Sequence, residues 1–204
     1  MKDYHPILKY WFNELKDSQN IDKESKTVKR WFSKDERVDK EIQKKFENDL
    51  IKAKDGEYLA WEESSAGRLA LVILLDQFSR NIYRGTSRMF ENDPLAIELT
   101  LRSINDQMDT ELQLIERKFL YMPLMHAEDL HMQEMSLRYY TELFEQVKEV
   151  NANNKSYYAD TLDYAKKHYD IIQRFDRFPH RNAILNRETT KEEEEFLKES
   201  NSSF

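Results

Sequence analysis

The sequence contains no cysteine, and it has only 3 glycines and 4 prolines among 204 residues. The lack of cysteine excludes disulfide bonds, thiolate nucleophiles and thiolate metal sites. Average usage would be about 7% glycine and 5% proline. Because turn-rich β folds and glycine-rich phosphate loops need more glycine than this, the composition predicts an all-α fold.

Long apolar runs and positive net charge are also missing. No apolar stretch approaches the ~20 residues of a transmembrane helix, and charged residues interrupt the opening segment MKDYHPILKYWFNELKD, so no signal peptide is predicted. The formal net charge of -7 argues against a general attraction to nucleic acid or to anionic membranes. We therefore expect a soluble, cytoplasmic protein that binds neither of them.

Aromatic and charged residues are both abundant, at 12% and 35% of the chain. This combination is typical of amphipathic helices with well-solvated outer faces. The length fits a single domain over residues 1–204. Apolar residues at helical spacing predict about seven or eight helices with short connections, packed as antiparallel pairs in a bundle or solenoid.

Several residues predict where helices begin and end. The expected starts are Pro6 as a first helical residue, Ser33 or Asp35 as an N-cap, Asp93 as an N-cap before Pro94, a capping box of Thr110 with Gln113, Glu128 or Asp129 as an N-cap, and a capping box of Thr190 with Glu193. Gly56 is expected to terminate one helix, and Pro123 to end or kink another.

The predicted third helix changes character along its length. Its segment LALVILLDQFSRNIYRG (residues 69–85) starts almost wholly apolar and ends with Asp76, Gln77, Arg80, Asn81 and Arg84. Asp76 and Arg80 have the spacing and order of a helical ion pair. One interpretation, which we favour, is a structural network that ties the helix end to its neighbours. The other is an arginine-lined pocket for a carboxylate or phosphate.

A second polar cluster is PLMHAEDLH, with His126, Glu128, Asp129 and His131. Histidines beside carboxylates raise the hypothesis of a metal site. The spacing lacks the H-E-x-x-H pattern, and adjacent Glu128 and Asp129 diverge on a helix. We favour Asp129 as an N-cap and His126 as a hydrogen-bonded residue of the preceding turn, and we expect neither a metal nor a cofactor.

The third cluster, RFDRFPHRN, combines Arg174, Arg177, His180, Arg181 and Asn182 with two phenylalanines. Basic residues interleaved with aromatics occur on surfaces that bind nucleic acid or phosphate. The same residues can end a helix and form salt bridges with acidic neighbours. The acidic chain favours the second interpretation.

Long segments resemble the bacterial family catalogued as domain of unknown function 924. They are GRLALVILLDQFSRNIYRGTSRMFENDPLA, ERKFLYMPLMHAEDLHMQEMSL and RFDRFPHRNAILNRETTKEEEEFL, together with YWF and RWFSKD near the start. Ser79 stands where the family usually has proline, and Asp176 where it usually has glycine. The resemblance implies an all-helical fold like that of tetratricopeptide (TPR) repeats, and it implies no particular activity.

Our leading hypothesis is that the protein binds a small anionic ligand or an acidic peptide. The groove would be lined by Arg80, Arg84, Arg177 and Arg181, with His126 and His180 as additional donors. This requires the ends of the predicted third and seventh helices to meet.

Two alternatives remain: an interaction scaffold, or an enzyme. An enzyme would use Asp76, Glu128 or Asp129 as general base and His126 or His180 as acid. A catalytic carboxylate should occupy an open cleft and have a raised pKa. A structural carboxylate should be enclosed, with each oxygen paired.

Overall fold

The computed structural model describes residues 3–13, 15–32, 34–200 and 202–203. The predicted all-α fold is confirmed, because the described residues contain helices and turns and no β-strand. The helices are α1 (His5–Phe12), α2 (Lys26–Phe32), α3 (Glu36–Lys54), α4 (65–82), α5 (Asp93–Asn105), α6 (Leu114–Leu120), α7 (Met122–His126), α8 (Leu130–Val150), α9 (Lys155–Phe175) and α10 (Lys191–Phe196).

Helix α4 lies at the centre of the molecule. Every residue from 67 to 79 is buried, as expected of a helix that is apolar on all sides. Helices α1, α3, α5 and α6 pack around it. An edge-to-face aromatic cluster joins α1 to the core, since the ring of Trp11 in α1 lies 5.5 Å from the rings of both Phe78 and Phe119. The polar end of α4 therefore lies in the interior of the molecule.

Four of the predicted helix boundaries are confirmed. Pro6 lies in the first turn of α1. The side chain of Asp35 accepts a hydrogen bond from the Arg37 amide and caps α3, whereas the alternative cap, Ser33, lies outside the described residues. Asp129 caps α8 in the same way. Thr190 and Glu193 form the expected capping box of α10.

Two predicted N-caps are wrong. Asn92, not Asp93, occupies the N-cap position of α5, and its side chain bonds Ser79 Oγ at 2.8 Å instead of the helix. Asp93 is drawn away because both of its carboxylate oxygens bind an arginine of α4. The predicted box of Thr110 is also displaced. Its actual members are Gln113 and Glu116, because the extended backbone that precedes α6 starts only after a 3-10 turn that includes Thr110.

The C-terminal region returns the chain to the end of α4. Helices α8 and α9 each have 21 residues and pack antiparallel across a short turn. Asp176 ends α9 in the left-handed conformation, with φ of 56°. The 3-10 turn Pro179–Arg181 follows and contacts α7 through Arg181. This places the second and third sequence clusters side by side.

Candidate functional site

A π-helical segment interrupts α4 where its polar residues begin. Residues Ile73–Phe78 form this segment between the α-helical turns Ser65–Val72 and Ser79–Ile82. Such segments are rare and occur often at functional sites. The wider turn alters the direction of the side chains that follow, and Asp76 lies within it, fully buried.

Both carboxylate oxygens of Asp76 are occupied. Oδ1 lies 2.8 Å from Arg80 Nη1 and 2.7 Å from His126 Nδ1, and Oδ2 accepts a hydrogen bond from the Gln77 amide. Burial on its own raises the pKa of Asp76, but the charge of Arg80 and the contacts with His126 lower it below its usual value. An enclosed, ionised carboxylate with both oxygens paired meets the criterion for a structural residue.

Arg80 extends this network to α5. Its Nη1 and Nη2 atoms bind Asp93 Oδ1 and Oδ2 at 2.8 and 2.9 Å, the bidentate geometry that suits guanidinium and carboxylate. Arg181 Nη1 lies 3.8 Å from the same Asp93 carboxylate. We call Asp76, Arg80, Asp93 and Arg181 the acid–arginine cluster. It brings together the ends of the predicted third and seventh helices.

The other candidate arginines lie in separate ion pairs. Arg84 binds Asp39 of α3 through two hydrogen bonds, of 2.6 and 2.9 Å. Arg177 binds Glu193 of α10 through two, of 2.6 and 2.8 Å. The structure therefore does not assemble a single groove from all four predicted arginines.

The carboxylates that follow α7 have structural partners. Glu128 binds Arg187 through two hydrogen bonds of 2.7 and 2.9 Å and also accepts one from the Phe178 amide. Burial raises the pKa of Glu128, but the bonds from Arg187 and Phe178 lower it overall. Asp129 caps α8. Arg187 was missed by sequence reasoning, because no local spacing links it to a residue 59 positions away.

Arg181 is the incompletely paired member of the acid–arginine cluster. Its side chain is only 8% exposed, and its guanidinium lies between the rings of Phe90 and Phe178, 4.5 Å from each centroid. Nη2 donates to the His126 carbonyl at 2.9 Å, but Nε has no hydrogen-bond partner in the described part of the chain. Burial, followed by the charge of Arg80, lowers the pKa of Arg181 to about 10.

Three histidines surround this arginine. The His126 ring lies 6.3 Å from the ring of His168, and the Phe178 ring is 5.4 Å from His168 and 5.6 Å from His180. Burial lowers the pKa of His168 to about 3 and that of His180 to about 4. Burial also lowers the pKa of His126, despite the opposing effect of Asp76. All three rings are therefore neutral at pH 7. His168 was not a predicted site residue, since α9 gives it an ordinary helical position.

His126 is a partly exposed member of this histidine group. Asp76 fixes its Nδ1 atom, and the ring makes no other hydrogen bond among the described residues. Its side chain is 16% exposed, so part of the ring can meet a small molecule. No group of three or more histidine or carboxylate side chains in the described ranges has the arrangement of a metal site.

The protein is therefore of the all-helical class. Its central helix, α4, carries a buried acid–arginine cluster and is surrounded by packed helices. The sequence profile described as bacterial protein of unknown function (DUF924) matches residues 7–201, and the chain belongs to this family. A similar solved structure is that of the protein of unknown function ATU0120 from Agrobacterium tumefaciens. The two chains are 33% identical over 96% of each, with a TM-score of 0.76.

These comparisons confirm the family resemblance and its all-helical fold. No match was found among curated proteins. Over the described residues, no helix combines the length and the apolar character needed to cross a bilayer.

Proposed function

We propose that the protein binds a small anion, a carboxylate or a phosphate, between Arg181 and His126. The observation that carries this proposal is the unpaired Nε of Arg181, in a side chain that is only 8% exposed. A buried donor without an acceptor costs free energy, and an oxyanion would supply that acceptor. The nearest carboxylate, Asp93, is already bound bidentately by Arg80.

The position of His126 supports the same site. Its backbone carbonyl accepts a hydrogen bond from Arg181 Nη2, and its imidazole is joined to the same cluster through Asp76. Side chains at the border of the cluster are partly accessible, with exposures of 15% for Arg80 and 14% for Asp93. One small anionic group fits this setting better than an acidic peptide, because the cluster is too enclosed for a polypeptide backbone.

Charge balance predicts that the anion enters together with a proton. Asp76 and Asp93 already balance the charges of Arg80 and Arg181, so an added anion leaves an uncompensated negative charge. His126 is neutral at pH 7 and can become protonated beside the anion. We therefore expect binding to be tighter at pH 6 than at pH 8.

The test is a thermal-shift titration with inorganic phosphate, sulfate and succinate. An anion present at 100 times its dissociation constant should stabilise the fold by about 2.7 kcal/mol, which corresponds to roughly 5–10 °C for a chain of this size. Arg181→Met should abolish the shift. Arg181→Lys retains the charge but lacks the guanidinium fork, so its shift should be reduced.

Arg84→Met is the matched control, because it removes an equal charge from an arginine outside the cluster. Arg84 lines a separate shallow groove of about 290 Å³ with Lys34 and Lys40. A shift abolished by Arg84→Met and retained by Arg181→Met would place the anion in that groove and refute the proposal. The absence of a shift with all three anions would also refute it.

A second candidate function is acid–base catalysis by His126. The 2.7 Å contact between Asp76 and Nδ1 fixes the ring and leaves Nε2 as the nitrogen available for proton transfer, as in a histidine general base held by a carboxylate. Asp76, Glu128 and Asp129 are less suited to this role, because each already has structural partners. Arg181 would stabilise negative charge that develops on the substrate.

His126→Gln separates the two candidates. If the site only binds, this variant should still be stabilised by the anion but should lose the pH dependence of binding. If His126 is a general base, conversion of an anionic substrate, followed by NMR, should fall by about 100-fold or more.

A further inference from the structure

Lys118 of α6 is the only buried lysine among the described residues, with an exposure of 3%. Four aromatic rings surround its ammonium nitrogen. Nζ lies 4.2 Å from the ring centroid of Tyr157, 4.7 Å from that of Phe32, 5.4 Å from that of Phe119 and 5.9 Å from that of Trp31. These rings come from α2, α6 and α9, and we call them the aromatic pocket.

No carboxylate within the described ranges forms an ion pair with Lys118. Its one side-chain hydrogen bond is to the hydroxyl of Tyr157. The nearby Asp160 is paired instead with Lys23, at 2.5 Å. A buried ammonium without a carboxylate is costly, so this environment favours the neutral amine.

The electrostatics agree with this geometry. Burial lowers the pKa of Lys118 to about 7; Asp160 opposes the shift, and Lys23 adds to it. Burial also raises the pKa of Tyr157, so its hydroxyl keeps its proton. A neutral lysine in an apolar pocket is the usual form of a lysine that reacts with carbonyl compounds.

We propose that Lys118 is a nucleophilic amine that forms an imine with a small, uncharged aldehyde bound in the aromatic pocket. The Nζ lone pair attacks the carbonyl carbon, and a proton moves from nitrogen to oxygen to give a carbinolamine. Tyr157 donates its proton to that hydroxyl group, which leaves as water. The remaining N–H proton returns to the Tyr157 oxygen, so one amine and one aldehyde give one imine and one water.

Phe32 provides the route of entry. It lies at the C-terminal end of α2, and it is 59% exposed although its ring covers Nζ. Rotation of this one side chain would open the amine to solvent without moving Trp31 or Phe119, which are buried. Because aromatic rings surround Nζ, the entering aldehyde should be small and should carry no charge.

The experiment uses the folded wild-type protein with propanal as probe and cyanoborohydride to trap the imine. Peptide mapping by mass spectrometry then measures the alkylation rate at each lysine at pH 7.5. Lys118 should react at least 10-fold faster than Lys40, an exposed lysine that serves as internal control. A rate at Lys118 equal to or below that of Lys40 would overturn the proposal, and it would identify a lysine that only packs against aromatic rings.

Two variants assign the roles of the surrounding residues. Phe32→Ala should raise the rate at Lys118 several-fold and leave Lys40 unchanged. Tyr157→Phe should lower it about 10-fold or more, through loss of the proton donor.

The rate at Lys118 should level off above about pH 8, whereas the rate at Lys40 should continue to rise. The charged and titratable groups near Lys118 are Lys23, Tyr157 and Asp160, and its carbonyl binds the Tyr140 hydroxyl. A continued rise at Lys118 would show an ordinary charged lysine.

Discussion

Arg80 and Lys118 are both buried basic side chains, but their surroundings differ in one respect. Arg80 faces the carboxylates of Asp76 and Asp93, whereas Lys118 faces a phenol and aromatic rings. Burial lowers the pKa of each, but the two carboxylates raise the pKa of Arg80 overall, and burial dominates at Lys118. The number of neighbouring carboxylates therefore decides whether a buried basic side chain stays charged and stabilises the fold or becomes neutral and reactive.

The surroundings of Arg181 are intermediate between those of Arg80 and Lys118. It shares the Asp93 carboxylate at 3.8 Å and keeps one unpaired donor. This incomplete hydrogen bonding is the physical reason that an anion is expected at Arg181 and not at Arg80.

The largest expected effect comes from removing a carboxylate that compensates Arg80. Asp93→Asn leaves a buried guanidinium with fewer partners and should lower the free energy of unfolding by roughly 3–5 kcal/mol. Urea denaturation measures the change. Asp163→Asn, which removes the acid of an exposed pair with Lys167, should cost less than about 1 kcal/mol. Equal effects of the two substitutions would show that the acid–arginine cluster is not a structural tie.

The next effect is the loss of stability in weak acid. The pKa values of His126, His168 and His180 are lowered in the folded protein, so the unfolded chain binds more protons below about pH 6.5. Stability should fall as the pH drops from 6.5 to 4, by up to about 1.4 kcal/mol per pH unit for each histidine. Carboxylates with lowered pKa values should lose their contribution to stability only at lower pH.

His168→Gln tests this directly, since it removes one of the three titrating rings, whose Nδ1 lies 2.8 Å from the Tyr164 carbonyl within α9. The slope of unfolding free energy against pH between 6 and 4.5 should decrease by about one proton. An unchanged slope would show that His168 is already protonated in the folded state.

Lys118 should also make the free energy of unfolding depend on pH, in the alkaline range. Its folded pKa of about 7 lies below that of an unfolded lysine, so stability should rise between about pH 7 and pH 10. Lys118→Met should reduce this slope by about one proton and should stabilise the protein most at neutral pH. Lys40→Met, at an exposed position, is the control and should leave the slope unaltered.

The smallest expected effect lies at the turn that carries Arg181 into its cluster. Asp176 has a φ of 56°, which glycine adopts without steric cost. Asp176→Gly should raise the free energy of unfolding by about 0.5–1 kcal/mol. Asp170→Gly, on the exposed side of α9, should lower it by about 0.2–0.3 kcal/mol. Destabilisation by both would indicate that the Asp176 side chain itself supports the turn.

Local patterns predicted the local contacts. The pair of Asp76 and Arg80 follows from helical spacing, and the caps Asp35, Asp129 and Thr190 follow from residue type. The partners across the fold had no such signal. Asp93 appeared to be an N-cap because its spacing to Pro94 is a local cue, whereas its contact with Arg80 depends on how α5 packs against α4.

The reactive environment of Lys118 was also hidden in the sequence. In the segment LIERKFL it follows Arg117 and precedes Phe119, an ordinary polar position with no local signal. Its burial arises only when α2 and α9 cover α6 with Phe32 and Tyr157. The π-helical segment of α4 likewise has no residue signature, so the final direction of its polar side chains could not be derived from a regular helical period.

The most direct test of anion binding at Arg181 is isothermal titration of sulfate at pH 7 in two buffers with different ionisation enthalpies. Sulfate does not titrate at this pH, so any proton exchanged with buffer belongs to the protein. We predict binding with uptake of between half and one proton, and loss of that uptake in His126→Gln. Sulfate that binds without proton uptake, or equally well to Arg181→Met, would contradict the account.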